Sequence, residues 1–190
     1  MSKGKNIILG FDMDGVIVNN TQPKIRLAKS LGFDLLPEQT PSEIIPHYLP
    51  GPVLRELQGK LYDDIEEAIQ TPLMRGVKDI LSAVKKSNIP YFLISRRRLP
   101  HIAEAILKHH NLWPRYFNGK NAFFVLEPKD KDKKAFELGV THYVDDEMKV
   151  INILASVKNK FLFDQFNIFQ HASNYTKVNS WAEFKGHIFK

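Results

Sequence analysis

The sequence predicts an α/β fold in which a parallel sheet carries helices on both faces and a small helical cap is inserted after the first strand. Three observations predict it. Short apolar or β-prone runs recur at Ile7-Ile8-Leu9, Tyr91-Phe92-Leu93-Ile94, residues 122–126, residues 141–144 and Phe161-Leu162-Phe163, each too short for an independent helix. Stretches with helical period lie between the later runs, and strand and helix signals in alternation imply βα units with parallel strands. From residue 20 to residue 72 there is helical period and much proline but no strand signal. That interval is read as the cap, and residues 1–19 and 73–190 as the core that carries it.

Each element has its own justification. The stretch from Asn6 to Val18, NIILGFDMDGVIV, reads as a buried strand that enters a loop at Asp12, Asp14 and Gly15. Leu27, Ala28 and Leu31 at helical spacing predict a helix that stops at Gly32. Pro37, Pro41, Pro46, Pro50 and Pro52 then break the chain and leave room for one short helix over residues 42–47. Leu54, Leu57, Leu61 and Ile65, followed by Ala68 and Ile69, predict a single amphipathic helix ending near Pro72. A core helix starts at Arg75-Gly76, places Val77, Ile80, Leu81 and Val84 on one face, and ends in Lys85-Lys86, where cations suit the helix dipole. The strand at 91–94 ends at Ser95, followed by Arg96, Arg97 and Arg98. Ile102, Ala105, Ile106 and His109 mark a further helix. After the strand at 122–126 a lysine-rich segment, 129–134, reads mostly as a solvated turn before a helix over 135–138 that stops at Gly139. The strand at 141–144 runs into Asp145-Asp146, and Val150, Ile151, Leu154 and Val157 predict one more helix before the strand at 161–163. No internal repeat or low-complexity segment interrupts this order.

Composition narrows the function classes. At 190 residues the chain fits one domain with a modest insertion, on a soft scale of about 150 residues per domain. No apolar run approaches the ~18–20 residues of a membrane helix, so a soluble protein is expected. The start Met1-Ser2-Lys3-Gly4-Lys5 is basic, but the apolar run behind it is short and lacks a small-residue cleavage site. No export signal is expected, and cytoplasm is the default location. The absence of cysteine excludes disulfides, thiolate nucleophiles and cysteine-ligated zinc. A net charge of +6 and a pI near 9.4 favour anionic partners, although a solvated basic surface gives the same numbers.

The candidate chemistry sits where strands end. In an extended backbone Asp12 and Asp14 point to one side and Met13 to the other, so both carboxylates can face one ligand. Two acids this close repel unless a cation or a shared proton offsets their charge, and the pair therefore asks for a metal. Ser95 and the pair Asp145-Asp146 end two further strands, and taken singly each could be a turn or cap residue. Arg96 to Arg98 could grip a phosphate or carboxylate of a substrate, or form a solvated loop. His47 and the pair His109-His110 lack companions with ligand spacing, which argues against a metal there.

The stretch Phe11-Asp12-Met13-Asp14-Gly15-Val16 is similar to the DxDG[VT] motif of the haloacid dehalogenase (HAD) superfamily of phosphohydrolases. The order and separation of Ser95, the lysine cluster and Val144-Asp145-Asp146 resemble that superfamily's second, third and fourth motifs. The resemblance spans Ile7 to about Phe163, and the cap matches no named family. It implies a Rossmann-like, HAD-like sheet and a magnesium-dependent phosphomonoesterase. In it Asp12 would be the nucleophile that forms an aspartyl-phosphate, and Asp14 would protonate the leaving alkoxide and then take a proton from water. Ser95 would donate its hydroxyl to a phosphoryl oxygen and Lys131 would balance charge there, with Lys133 as the other candidate lysine. Lys131 lies eight residues before Gly139, a spacing similar to the family's. Mg2+ would be held by Asp12, the main-chain carbonyl of Asp14, and Asp146, with Asp145 behind them or as an added ligand.

A second resemblance lies in the tail. Phe161-Leu162-Phe163-Asp164-Gln165-Phe166-Asn167, Tyr175-Thr176-Lys177-Val178 and Trp181 look like the tail of HAD-type 5′-nucleotidases of the deoxyribonucleotidase group, with Trp181 and Phe184 read as core packing. With Arg96 as a substrate-binding candidate, these features point to a small phosphorylated metabolite and tilt the choice toward nucleoside monophosphates. The alternatives are a phosphomutase, which uses the same acid pair, and a non-catalytic binder of phospho-ligands or nucleic acid. No aromatic-plus-basic stacking motif supports nucleic acid, and no segment suggests a membrane. Dehalogenase chemistry does not need an acid at Asp14.

Overall fold

The computed structural model describes residues 7–189, so the readings placed on Asn6 and on the basic start lie outside the described residues. One sheet holds six strands: β1 (Leu9–Phe11), β2 (Tyr91–Arg96), β3 (Ala122–Val125), β4 (His142–Asp145), β5 (Asn159–Phe163) and β6 (Thr176–Val178). All neighbours pair in parallel, in the order β3-β2-β1-β4-β5-β6. Among the described residues the helices are α1 (Thr21–Ser30), α2 (Gly51–Asp63), α3 (Ile65–Ala68), α4 (Val77–Lys86), α5 (Pro100–His109), α6 (Pro128–Glu137), α7 (Met148–Ile153) and α8 (Trp181–Ile188), with two 3-10 turns at Pro37–Gln39 and Ile45–His47. None is long and apolar enough to cross a membrane.

Alternation along the strands divides the core between two faces. Leu9, Phe11, Leu93, Val144, Phe161 and Val178 pack with buried residues of α4, α5 and α8. Ile94, Tyr143 and Leu162 pack on the opposite side with Ala135, Val150 and Ile151 of α6 and α7. Helices thus cover both faces, and the strands, buried on both, read as continuous apolar runs. Trp181 anchors α8: its ring meets Phe11 edge to face at 5.5 Å, and its indole N–H donates to the Val16 carbonyl at 3.0 Å.

Between Asn19 and Pro72 the chain forms no strand and buries a cluster of its own, with Leu27, Ala28, Leu35, Ile45, Leu49, Leu57 and Leu61 at its centre. The chain leaves and re-enters the core through two adjacent antiparallel segments. Val18 bridges Leu73, the Asn19 amide donates to the Pro72 carbonyl at 2.8 Å, and the Met74 amide to the Ile17 carbonyl at 2.8 Å.

Strand ends shift by one or two residues, and four differences from expectation are larger or bear on the site. The first strand begins at Leu9 rather than Ile7. The helix expected to run through Ile65 to Ile69 breaks at Asp64, whose carboxylate accepts from the amides of Glu66 and Glu67 and so caps a separate short helix. The segment 129–134 is not a turn but most of α6, which starts at Pro128 because the Asp130 side chain accepts from the Glu127 amide at 3.2 Å. The helix over 150–157 ends instead at Ile153. On α5 the buried stripe is Ile102, Ala103, Ile106 and Leu107, and His109 faces water.

Candidate active site

The carboxyl ends of β1, β2 and β4 meet beneath the insert, and the loop after β1 is the tightest piece. The Asp12 amide donates to the Val144 carbonyl at 2.9 Å, which ties the first acid to the end of β4. Beyond it the amides of Ile17 and Val18 both donate to the Met13 carbonyl, at 2.8 and 2.9 Å, while the Met13 side chain is buried in the core. Gly15 makes this turn with φ of +71°, and a Cβ there would lie 2.1 Å from Asp146 Oδ2. Only glycine permits both the backbone angle and the approach of that carboxylate.

Asp12 is buried and faces Lys131, whose Nζ stands 2.9 Å from Asp12 Oδ1 and 2.8 Å from Asp145 Oδ2. Lys131 lies in the first turns of α6 and is buried, whereas Lys129 and Lys133 are exposed and Lys134 pairs with Glu137. Burial works to lower the Lys131 pKa, but Asp12 and Asp145 outweigh it and the ammonium is held well above its ordinary range. Asp145 is fully buried and fully engaged: Oδ2 takes the lysine and Oδ1 accepts from the Glu147 amide at 3.0 Å. Loss of solvation lifts its carboxyl to about 7 against the pull of Lys131. Asp146 is pushed well above the carboxylate range, first by loss of solvation and then by Asp145, Glu147 and Asp12, with Lys24 opposing.

Asp12, Asp145 and Asp146 each offer an oxygen within 4.8 Å of the others. Three carboxylates against the single ammonium of Lys131 leave two negative charges unbalanced when all are ionised, and hard oxygen donors with that deficit fit a divalent cation such as Mg2+. Asp146 is the partly exposed acid of its pair, whereas Asp145 is already spent on Lys131 and a backbone amide. The Asp14 side chain does not join this group. Its Oδ1 instead accepts from Asn20 Nδ2 at 2.9 Å and from Arg97 Nη2 at 2.7 Å.

Ser95 is buried at the end of β2, and its hydroxyl has no protein partner. A buried hydroxyl without a protein partner is free to donate to a ligand oxygen in the cavity it lines. The arginines that follow do not form one solvated run: Arg96 and Arg98 are exposed, and Arg97 is buried against Asp14. All three line a cavity of about 760 Å³ with Asp12, Asp14 and Lys131 on the core side and Arg55, Gln58 and Tyr62 on the insert side. Sequence reasoning did not pick out Asn20, Lys24, Tyr62 or a separate role for Arg97. Lys24 on α1 is buried, with Nζ donating to the Thr40 carbonyl at 2.8 Å. A single lysine in a helical stretch, between Pro23 and Ile25, gives no such sign. Of the histidines, His47 and His109 are exposed and His110 bonds the Thr71 carbonyl at 2.8 Å.

A parallel sheet with acids at the ends of two central strands, a lysine from the helix before the second, and an inserted helical cluster define a chain with the fold of the haloacid dehalogenase superfamily of hydrolases. Solved structures share this fold over nearly all of the chain. A HAD-family hydrolase from Deinococcus radiodurans R1, with bound phosphate and sodium, superposes with a TM-score of 0.61 at 14% identity over 95% of this chain and 94% of that one. A HAD-superfamily hydrolase from Ehrlichia chaffeensis gives 0.58 at 14% identity over 96% and 95% of the two chains. A dehalogenase with an intermediate complex gives 0.66 at 11% identity over 96% and 97%. No family model and no curated protein matches the sequence. At these identities the likeness is one of fold.

Proposed function

We propose that the protein is a magnesium-dependent phosphomonoester hydrolase that works through an aspartyl-phosphate on Asp12. The observation that carries this reading is the cluster of Asp12, Asp145 and Asp146 around Lys131, with two charges unbalanced and the unpartnered Ser95 hydroxyl in the same cavity wall. Mg2+ bound by Asp12, Asp146 and the Asp14 carbonyl would neutralise phosphoryl oxygens and screen them from the nucleophile. The residues then divide the work. An oxygen of Asp12 attacks phosphorus and the bond from phosphorus to the leaving oxygen breaks. Asp14 gives its proton to that oxygen, so an alcohol departs. Asp14 next takes a proton from water, which attacks the acyl phosphate and returns Asp12 and inorganic phosphate. Lys131 and Ser95 hold the transferring oxygens throughout.

The insert walls one side of the cavity, whose volume of about 760 Å³ suits a ligand of metabolite size. Arg55, Arg96 and Arg98 in the wall add attraction for a second anionic group, and nucleoside monophosphates are the first substrates to test. The experiment is phosphate release with Mg2+ from nucleoside monophosphates, sugar phosphates and an aryl phosphate, by the wild type and by Asp12→Asn. The variant keeps the shape and loses the nucleophile, so turnover should vanish with the fold intact. Equal release by both proteins would end the assignment. A preference of tenfold or more for sugar phosphates would end the nucleotide reading alone, and an isomerised phosphate ester in place of free phosphate would mark a mutase.

A further inference from the structure

Arg97 is a buried cation that the reaction above does not use. Its side chain is 4% exposed; Nη2 donates to Asp14 Oδ1 at 2.7 Å, and the guanidinium carbon lies 4.9 Å from the centre of the Tyr62 ring on α2. Nε and Nη1 have neither a protein partner nor accessible surface. The first contact belongs to the core and the second to the insert. The next residues repeat the pattern, since Arg98 pairs with Asp63. The end of β2 and the end of α2 are therefore joined at two successive positions.

A guanidinium with unmade hydrogen bonds in a sealed place gives up solvation that it would regain in water. What seals it includes the ring of Tyr62, and what rewards it is the charge-assisted bond to Asp14. If α2 moved off, Nε and Nη1 would meet water and the balance would shift toward Arg97 leaving Asp14. With α2 in place, Arg97 stays on Oδ1 beside Asn20 and leaves Asp14 Oδ2 as the oxygen for proton transfer.

We propose that Arg97 and Tyr62 are positioning residues, which orient the Asp14 carboxylate only while the insert is seated on the core. This rests on the hydrolase reading, in which Asp14 moves the proton. The pair lets the insert act on the chemical step without touching the phosphoryl group, so its loss falls on kcat rather than KM.

Two measurements test it. With Mg2+ and an aryl phosphate, Tyr62→Leu should lower kcat by tenfold or more with KM within threefold, and Tyr62→Phe, which keeps the ring face, should stay within threefold of wild type. Independently of activity, 15N spectra should show one slowly exchanging arginine Nε–H that is missing in Arg97→Lys, lost in Tyr62→Leu and kept in Tyr62→Phe. Wild-type kcat in Tyr62→Leu, a loss confined to KM, or survival of the resonance in Tyr62→Leu would overturn the proposal. Should Tyr62→Leu fail to fold, Tyr62→Val is read in the same two ways. Should the wild type release no phosphate from any ester, the hydrolase reading falls and the resonance alone decides whether Tyr62 holds Arg97.

Discussion

Lys131 sits between two carboxylates with almost no exposure, and removing it leaves them facing each other. Lys131→Met should cost about 3–5 kcal/mol of stability in metal-free buffer, the range for breaking a buried charge pair, read from denaturant midpoints. Part of that loss should return on adding Mg2+, and turnover should fall far more than in Lys133→Met, whose side chain is exposed. Gly15→Ala would force a residue with a Cβ to adopt a positive φ and push that Cβ into Asp146. The magnesium concentration for half-maximal rate should rise, and an unchanged value would show that the Asp146 carboxylate has room to move. The acids, the serine and a choice of two lysines were all legible as residues. Lys131 was preferred to Lys133 only on its family-like spacing before Gly139, because the two are alike in type and the phase of α6 that turns Lys131 inward was not visible.

That phase is a matter of the element. In α6 six of the first seven residues are charged, so no apolar stripe announced the helix before Ala135, and its start rests on Pro128 and Asp130. The break between α2 and α3 was hidden for the opposite reason. An apolar stripe continued through Ile65, but Asp64 offered a carboxylate to the next two free amides and the chain restarted there. The end of α5 supports a pH prediction. Burial holds the His110 imidazole below its ordinary pKa, and with the Thr71 carbonyl as acceptor Nε2 must carry the hydrogen. The unfolded chain therefore binds a proton before the folded one, so stability is complete above the unfolded value of about 6.5 and falls as the pH drops below it. Between pH 7.5 and 5.5 the melting temperature should decline less in His110→Gln than in wild type. Equal declines would assign the pH effect to other groups.

For the whole molecule the sheet order follows from short apolar runs separated by helices, and it was legible because both faces are covered and the strands needed no polar alternation. The contact between insert and core was not legible. Arg97 and Tyr62 are distant in sequence, and one of three consecutive arginines turning inward depends on the strand's phase at its last residue. The acidic cluster also acts on the fold as a unit. A cation that binds only the folded chain stabilises it by mass action, about 2.7 kcal/mol at a hundredfold excess over Kd. Millimolar Mg2+ should therefore raise the melting temperature of the wild type, and Asp146→Asn should shrink the increment. If Asp145→Asn shrinks it more, the inner acid is the principal ligand.

The paired segments on either side of the insert have a consequence for the chain as a polymer. Residues 20–72 depart and return through neighbouring hydrogen bonds, Asn19 to Pro72 and Met74 to Ile17, so to the core they are one long loop whose ends are already clasped. Lengthening such a loop costs little, about 0.6 kcal/mol for each doubling. The sheet can therefore tolerate exchange of everything above the clasp for a larger, smaller or differently charged cover while the acids beneath stay where β1 and β4 put them. The cover above the clasp and the acids beneath it are thus free to change separately, in contact where Tyr62 meets Arg97.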